Sequence, residues 1–285
     1  MNKTYFDNII LNNLITETGA ESFGYYISET DTSYPVYYNE NTFSNFIEEI
    51  KSEYPDAYTA YRSGKGSEML PAANGKNPPK MASVASSSRF CYLALRNGAQ
   101  ALGGGKVVFE FECSIDGIRG TAPQMDAYSA DGNIFIEVKC HEIFDAHTVE
   151  LSHQYYGWLC EHPQGFGLAL PKPAAKEKIQ IPCSVFGVEE NCMFDIKQLL
   201  CHLMGISKKQ PATLTYLFFK PQVTNTADHE QIELIFSKLQ SEIKGIFSSK
   251  PIANFCKVNQ ITLRAVAQNA PVMGDLSPSN MIILY

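Results

Sequence analysis

The sequence lacks several features that would place the protein in a special class. None of its hydrophobic runs approaches the ~18 uncharged apolar residues that a membrane-spanning helix needs, and its first residues lack the basic end and apolar stretch of a signal peptide. Internal repeats and low-complexity tracts are also missing. With 45% hydrophobic residues over 285 positions, the chain can bury a sizeable core. We therefore expect a soluble, cytoplasmic globular protein.

The eight cysteines do not suggest a disulfide framework. No Cys-x-x-Cys pair occurs in the sequence, and a chain of this length does not need disulfides for stability. Cys160, His162, Cys183 and Cys192 have the side-chain types of a zinc site, but their spacings fit no common zinc finger. Reduced thiols in the core are the favoured interpretation, and zinc is the alternative.

Basic residues are outnumbered, and the formal net charge is -7, which argues against a nucleic-acid partner until the distribution of charge is considered. Residues 1–60 contain 10 acidic and 2 basic side chains, whereas residues 61–285 contain 20 acidic and 21 basic ones. The acidity therefore belongs to the N-terminal region. The remainder of the chain is close to neutral and can act on a polyanion where Lys and Arg are suitably placed.

Two segments rich in Gly, Pro and Lys divide the chain. The first, at residues 62–80, has no hydrophobic period and is predicted to be a linker or a long loop. We predict a boundary near residue 80, between an acidic α+β accessory region (1–80) and a main domain (81–285). The accessory region is expected to carry a helix with Thr42 as its N-cap. The second segment, 163–183, is expected to be a loop insertion in the main domain.

Hydrophobic periodicity in the main domain predicts the element order α-β-β-β-(α)-α-β-α-β. Strands are expected at 106–112, 124–129, 134–140, 213–219 and 261–266. Helices are expected after Ser86, within 144–160, between Asp195 and Gly205, and across 232–247. This order is typical of an α/β (mixed α+β) fold in which helices flank a central mixed sheet.

The segment Gln124 to Lys139 (QMDAYSADGNIFIEVK) is the most informative part of the sequence. Asp131-Gly132 between two alternating runs predicts a hairpin with a two-residue type I′ turn. That turn sets Asp126 opposite Glu137, with Lys139 on the same face of the sheet, while the other face is entirely apolar.

Two carboxylates directly opposite each other on neighbouring strands repel, and a divalent cation supplies a reason to keep them there. Asp126, Glu137 and the main-chain carbonyl of Val138 are the oxygen ligands that Mg²⁺ prefers, with Mn²⁺ as a substitute. Lys139 beside such a cation can orient or help deprotonate a water and stabilise negative charge at phosphorus. The predicted reaction is phosphodiester hydrolysis. The alternative interpretation is a surface salt-bridge ladder, which leaves the facing acids unexplained.

Asp126, a gap of ten residues and then Glu137-Val138-Lys139 resembles the signature of the PD-(D/E)XK nuclease superfamily, also called restriction-endonuclease-like. In that family the signature lies on a hairpin of an αβββαβ core, and the predicted element order is similar from about residue 84 to 219. The residue before Asp126 is not Pro, which instead lies three positions upstream, at Pro123.

The resemblance implies a restriction-endonuclease-like fold and a Mg²⁺-dependent nuclease, with DNA favoured over RNA as the substrate. A homodimer is one arrangement open to an enzyme that cuts both strands. The alternative is a catalytically inactive module on the same fold that binds nucleic acid or protein.

The resemblance also implies further site residues. Many family members add an acid from the preceding strand, which here is Glu110 or Glu112, with Glu110 favoured. Many also carry Gln-x-x-x-Tyr on the following helix, where this chain has Gln198 and His202, so that His stands in place of Tyr. Glu142 either extends the site or is a solvated loop acid.

Ser87 and Ser88 have two interpretations. They are expected to cap the helix that follows Ser86, although the N-terminus of a helix also suits phosphate groups.

Overall fold

A computed structural model describes residues 1–18, 24–29, 31, 34–63, 68–71, 78–118, 122–162, 166–167, 178–223, 225–269 and 276–285. These residues form eight α-helices: α1 (Lys3–Thr18), α2 (Glu40–Glu53), α3 (Pro55–Ser63), α4 (Ser87–Leu95), α5 (His153–Glu161), α6 (Ile196–Ile206), α7 (Thr226–Ser248) and α8 (Lys250–Val258). Their strands are β1 (Tyr25–Ile27), β2 (Val36–Tyr38), β3 (Val107–Glu112), β4 (Gln124–Ser129), β5 (Ile134–Lys139), β6 (Val149–Leu151), β7 (Ile179–Ile181), β8 (Ala212–Lys220), β9 (Ile261–Asn269) and β10 (Met281–Ile283).

A six-stranded mixed sheet forms the centre, in the order β10-β9-β8-β5-β4-β3. Strands β3, β4 and β5 form an antiparallel meander, whereas β8 runs parallel to β5, and β9 runs parallel to β8. Two smaller sheets pair β1 with β2 and β6 with β7. The predicted mixed α/β architecture is therefore confirmed. No described helix has the length and apolar character needed to cross a membrane.

The central strands are buried on both faces, because helices pack on either side of the sheet. Strand β8 is buried at all but one position, and α6 contributes Leu199, Leu200 and Leu203 to the core. Phe6 and Leu14 of α1 belong to the same hydrophobic cluster as Ile136 of β5. Residues before position 80 thus pack against the main sheet, and the domain boundary proposed there stays a prediction.

Several predicted elements need correction. The prediction of a helix within 144–160 is wrong for the first half of that range. His141–Phe144 is a 3-10 turn and Val149–Leu151 is strand β6, so α5 starts only at His153. Strand β6 forms because it pairs with β7, which follows the Pro-rich segment. Gly205 does not end α6 but lies inside it.

Other differences concern the N-terminal region and the two long loops. Asn39, not Thr42, caps α2, since its side chain accepts a 2.9 Å hydrogen bond from the Thr42 amide. Helices α1, α3 and α8 were not predicted. Most of the linker expected at 62–80 and of the insertion expected at 163–183 lies outside the described residues, and the end of the insertion forms β7.

The hairpin has the predicted register but not the predicted turn. Ala127 faces Ile136 and Ser129 faces Ile134, as expected. The left-handed residues are Gly132 (φ 76°) and Asn133 (φ 50°), so the type I′ prediction for Asp131-Gly132 is wrong. The Asn133 side chain donates to the carbonyl of Pro211 (2.6 Å), which helps to hold its unusual conformation.

Gly205 marks the closest approach of α6 to the segment after β3. A Cβ added there would lie 2.7 Å from the Cys113 Cβ and 3.0 Å from the Cys113 carbonyl oxygen. A Cβ at Gly157 of α5 would meet no atom within 4 Å. We expect Gly205→Ala to lower the free energy of unfolding by about 1 to 3 kcal/mol, and Gly157→Ala to raise it by about 0.5 to 1 kcal/mol. Urea denaturation tests both, and equal effects of the two variants would contradict the packing described.

Candidate active site

The three motif residues meet at one cavity of about 240 Å³. Asp126 comes from β4, and Glu137 and Lys139 come from β5. The Lys139 Nζ donates to Glu137 Oε1 at 2.8 Å. The main-chain amide of Val138 donates to Asp126 Oδ2 at 2.6 Å. The structure therefore brings the three side chains together on one face of the hairpin, as the alternating pattern predicts.

Residues predicted from neighbouring elements also line this cavity. Glu110 of β3 and Gln198 of α6 are among them, whereas Glu112 is exposed at the end of β3 and does not line it. The choice between the two acids therefore falls on Glu110. Tyr34, Glu68 and Lys80 complete the wall from the N-terminal side. Sequence reasoning missed these three residues, because they lie in segments without a hydrophobic period.

Glu137 has several hydrogen-bonding neighbours. Its side chain is nearly buried, and its Oε1 accepts both from Lys139 and from the Gln198 Nε2, the latter at 2.7 Å. The His202 Nε2 lies 3.6 Å from Glu137 Oε2. Helix α6 presents Gln198 and His202 one turn apart, since its N-cap Asp195 accepts a hydrogen bond from the Gln198 amide (2.9 Å) and fixes where the helix begins.

His202 is buried between Glu137 and the Tyr216 hydroxyl, which lies 3.0 Å from its Nδ1. Burial lowers the pKa of His202, although the negative charge of Glu137 opposes that effect. The imidazole is therefore neutral near pH 7. If Nδ1 accepts from Tyr216, Nε2 carries the proton and faces Glu137. At 3.6 Å the neutral histidine makes no hydrogen bond with Glu137, and it lies beside this carboxylate at the position where the family resemblance leads one to expect Tyr.

The cavity has an excess of negative charge. Four acids line it (Glu68, Glu110, Asp126 and Glu137) against two lysines (Lys80 and Lys139), which gives a formal charge of -2. Burial, followed by the charges of Glu68 and Glu137, raises the pKa of Glu110 to about 7. Burial and the charge of Glu137 also raise the pKa of Asp126, although Lys139 and the Val138 amide oppose the shift.

Lys139 is held as a cation. Burial alone would lower its pKa, but the charges of Glu137, Glu142 and Asp126 more than offset burial, and the pKa of Lys139 is raised. A lysine with a raised pKa is protonated at neutral pH and does not accept a proton. Of the two roles predicted for Lys139, the geometry favours stabilisation of negative charge over deprotonation of water.

Glu142 lies beside Lys139 but outside the main cavity. Its Oε2 accepts a 2.6 Å hydrogen bond from the Cys140 amide, and it borders a second cavity of about 200 Å³ that Lys139 and Gln198 also line. Although burial opposes the shift, the positive charges of Lys139 and His141 lower the pKa of Glu142. Glu142 is therefore an ionised neighbour of Lys139 rather than a free loop acid.

Helix α1 holds the segment that carries Glu142. Asp7 Oδ1 lies 2.8 Å from His141 Nδ1 in a fully buried pair. One turn earlier, Lys3 Nζ lies 2.7 Å from Asp145 Oδ1. Two residues four positions apart on α1 thus contact two residues four positions apart after β5, and they fix the backbone that follows Lys139.

Glu110 has an unusual backbone conformation. Its φ is 53°, in the left-handed region, although it lies within β3 between the Phe109–Ala127 and Phe111–Met125 pairs. A residue other than glycine in this region carries strain on the order of 1 kcal/mol. The strained residue is thus Glu110, whose carboxylate, from β3, joins those of Asp126 from β4 and Glu137 from β5 at the cavity.

The donors at the cavity fit a hard divalent cation. Carboxylate oxygens are the ligands that Mg²⁺ prefers, and a divalent cation would offset the formal charge of -2. Among the described residues, no three His, Cys, Asp or Glu side chains already form a cluster able to hold a metal ion. The fit to Mg²⁺ therefore rests on donor type and charge, and the zinc alternative at Cys160, His162, Cys183 and Cys192 gains no support. All eight cysteines are free thiols.

Comparison of the chain with protein-family models, with curated proteins and with solved structures finds no match. The resemblance to PD-(D/E)XK nucleases therefore rests on the motif residues and on the order of the helices and strands around them.

The raised pKa of Glu110 predicts a pH-dependent stability. An unfolded glutamate ionises near pH 4.5, whereas Glu110 in the folded protein ionises near pH 7, so folding is disfavoured as pH rises through that interval. Without divalent cations, we expect Glu110→Gln to raise the free energy of unfolding by on the order of 2 kcal/mol at pH 8 and by almost nothing at pH 4.5.

Urea denaturation across this pH range measures the effect. Glu112→Gln on the same strand is the control, because exposed carboxylates contribute less than about 1 kcal/mol even when paired. A Glu110→Gln variant that is no more stable than the wild type at pH 8 would show that the carboxylate is not under electrostatic stress.

Proposed function

We propose that the cavity is the active site of a metal-dependent nuclease that hydrolyses phosphodiester bonds in nucleic acid. The observation that carries the proposal is the convergence of Asp126, Glu137, Lys139, Glu110 and Gln198 on one cavity with an excess of negative charge. Such convergence of titratable groups with perturbed pKa values is typical of active sites.

The element order supports a restriction-endonuclease-like core. Elements α4, β3, β4, β5, α6 and β8 follow the order αβββαβ, and β6, α5 and β7 are inserted between β5 and α6. The antiparallel meander β3-β4-β5 and the parallel β5-β8 pair build one continuous sheet around the motif hairpin. We propose that this is the core that the family resemblance implies.

The residues have distinct roles in the proposed reaction. Asp126 and Glu137, with Glu110, would hold Mg²⁺ or Mn²⁺ as a substitute. Val138, whose carbonyl was expected to be a further ligand, is fully buried and is not among the residues that line the cavity. The bound cation supplies charge stabilisation at the phosphate and lowers the pKa of water. Gln198 is a positioning residue that keeps the Glu137 carboxylate facing the cavity.

Lys139 would act as a fixed positive charge. Its present acceptor, Glu137 Oε1, is also an atom that would ligate a cation. With Glu137 acting as a metal ligand, the Lys139 ammonium would donate instead to a phosphate oxygen or to the attacking water. Charge stabilisation by such a preorganised donor is the contribution that electrostatic catalysis requires.

DNA is the first substrate to test. Cytoplasmic location and a homodimer are further parts of the proposal. The alternative, a binding module without activity, predicts that the acids do not bind a divalent cation.

Cleavage assays test the nuclease directly. Wild-type protein is expected to cut single- or double-stranded DNA or RNA with Mg²⁺ or Mn²⁺ and not in excess EDTA. Lys139→Ala is expected to lower the rate by about 100-fold or more. Lys178→Ala is the matched control, because Lys178 is exposed and paired only with Glu150 on the surface among its described neighbours, and it should cut like the wild type. Undiminished cleavage by Lys139→Ala would remove the assignment.

Calorimetric titration with Mn²⁺ separates the nuclease from the inactive module. The wild type is expected to bind Mn²⁺, and Asp126→Asn to bind it at least about tenfold more weakly, because the variant loses a charged oxygen ligand. Far-UV circular dichroism of Asp126→Asn checks that its fold is retained. Absence of Mn²⁺ binding by the wild type would favour the inactive module.

A further inference from the structure

The N-terminus of α4 forms part of the cavity wall through Ser86, Ser87 and Ser88. Ser86 is the cap, since its Oγ accepts from the Arg89 amide at 3.3 Å and its carbonyl accepts from the Phe90 amide at 3.0 Å. The prediction that the run Ser86-Ser87-Ser88 caps the helix is confirmed for Ser86, whereas Ser87 and Ser88 lie inside the first turn and do not cap it. Their amides are among those that a helix leaves without an intrahelical acceptor.

Ser88 provides independent support for a ligand at this place. It lines the cavity and is only 5% exposed, and its hydroxyl makes no hydrogen bond with any described residue. The hydroxyl oxygen is not one of the fully buried atoms without a partner among the described residues, so it stays open to the cavity that Ser88 lines. A hydroxyl in this position is therefore suited to a bound polar group, and the half-buried Ser87 hydroxyl lies next to it in the chain.

The donors at this end of the cavity select an anion. Ser87 and Ser88 line the cavity at the end of α4 that carries the free amides and the positive end of the helix dipole. The Lys80 ammonium also lines the cavity and is paired with Glu68 Oε1 at 3.2 Å. Glu110, Asp126 and Glu137 form the acidic part of the wall, so the cavity combines a group of anion-binding donors with a group of cation ligands.

The surroundings of these donors limit how far a strand can extend. Every α4 residue from Ser88 to Leu95 is buried, so a strand cannot continue past the helix N-terminus. The cavity of about 240 Å³ is smaller than the ~300–1,000 Å³ of most ligand pockets, and a single phosphate group is small enough for it. A phosphate monoester has three free oxygens for these donors, whereas a diester has two.

We propose that the N-terminus of α4, through Ser87, Ser88 and Lys80, binds the terminal phosphate of a nucleic-acid strand. The substrate class is then strands that end in a phosphate monoester, and cleavage takes place close to that end. This inference rests on the proposed function for the identity of the ligand as a nucleic acid. Phosphate binding is expected to be tighter with Mg²⁺, because the acids otherwise repel the anion.

The test uses ligands that contain no phosphodiester bond. Inorganic phosphate, a nucleoside 5′-monophosphate, the matching 3′-monophosphate and the unphosphorylated nucleoside are titrated calorimetrically into the full chain with Mg²⁺. We expect the wild type to bind at least one monophosphate, and the nucleoside not at all. A difference between the 5′- and 3′-monophosphates identifies which strand end is recognised.

Variants locate the binding to α4. Ser88→Ala should weaken monophosphate binding about tenfold, through the loss of one hydrogen bond to a charged group. Ser87→Asp should abolish it, because a carboxylate takes the place of the phosphate. An acid in the first turn also favours the helix, so Ser87→Asp should unfold at the wild-type temperature or above. Ser52→Ala on the exposed face of α2 is the control and should bind like the wild type.

The outcomes separate this inference from the proposed function. The α4 site is overturned if monophosphates bind the wild type no better than the nucleoside does. It is also overturned if monophosphates bind Ser87→Asp and Ser88→Ala as tightly as they bind the wild type. Cleavage of oligonucleotides regardless of a terminal phosphate, without monophosphate binding, overturns the site and leaves the nuclease intact. Serine-dependent monophosphate binding without cleavage supports the site and rejects the nuclease.

Discussion

Mutual repulsion among three carboxylates governs the arrangement of the cavity. Glu110, Asp126 and Glu137 come from three adjacent strands. Glu137 is compensated by Lys139 and Gln198, and Asp126 by the Val138 amide. Glu110 makes no hydrogen bond with a described residue, and burial, followed by the charges of Glu68 and Glu137, raises its pKa to about 7. Unfavourable clusters of charge are typical of functional sites, and binding of a divalent cation would be the simplest way to compensate these carboxylates.

The rest of the chain supports this arrangement from two sides. Helix α6 contributes Gln198 and His202 to Glu137, and Tyr216 of β8 orients His202. On the other side, α1 holds the segment after Lys139 in place through the buried Asp7–His141 pair. The N-terminal region thus both supports the cavity and forms part of its wall.

The hairpin could be predicted from local sequence patterns. Elements that depend on contacts between residues distant in sequence could not be predicted in this way. Alternation of apolar residues along β4 and β5 gave the correct register and placed Asp126 and Glu137 at one cavity. The different turn at Gly132 and Asn133 did not change this result, because six residues on each strand outweigh two in the loop. The helical period gave α6 and Gln198. Glu68 and Lys80 had no such signal, and β6 was missed because its partner β7 is distant in sequence.

The left-handed conformation of Glu110 illustrates the same limit, because a strand pattern contains no information about a single residue that departs from it.

The most direct test is a crystal structure of the protein soaked in Mn²⁺, with anomalous scattering used to locate the ion. The account predicts an anomalous peak in the cavity, within about 2.2 Å of carboxylate oxygens of both Asp126 and Glu137. A fully occupied Mn²⁺ site elsewhere, with Lys139 still bonded to Glu137 and no peak between the two acids, would contradict it.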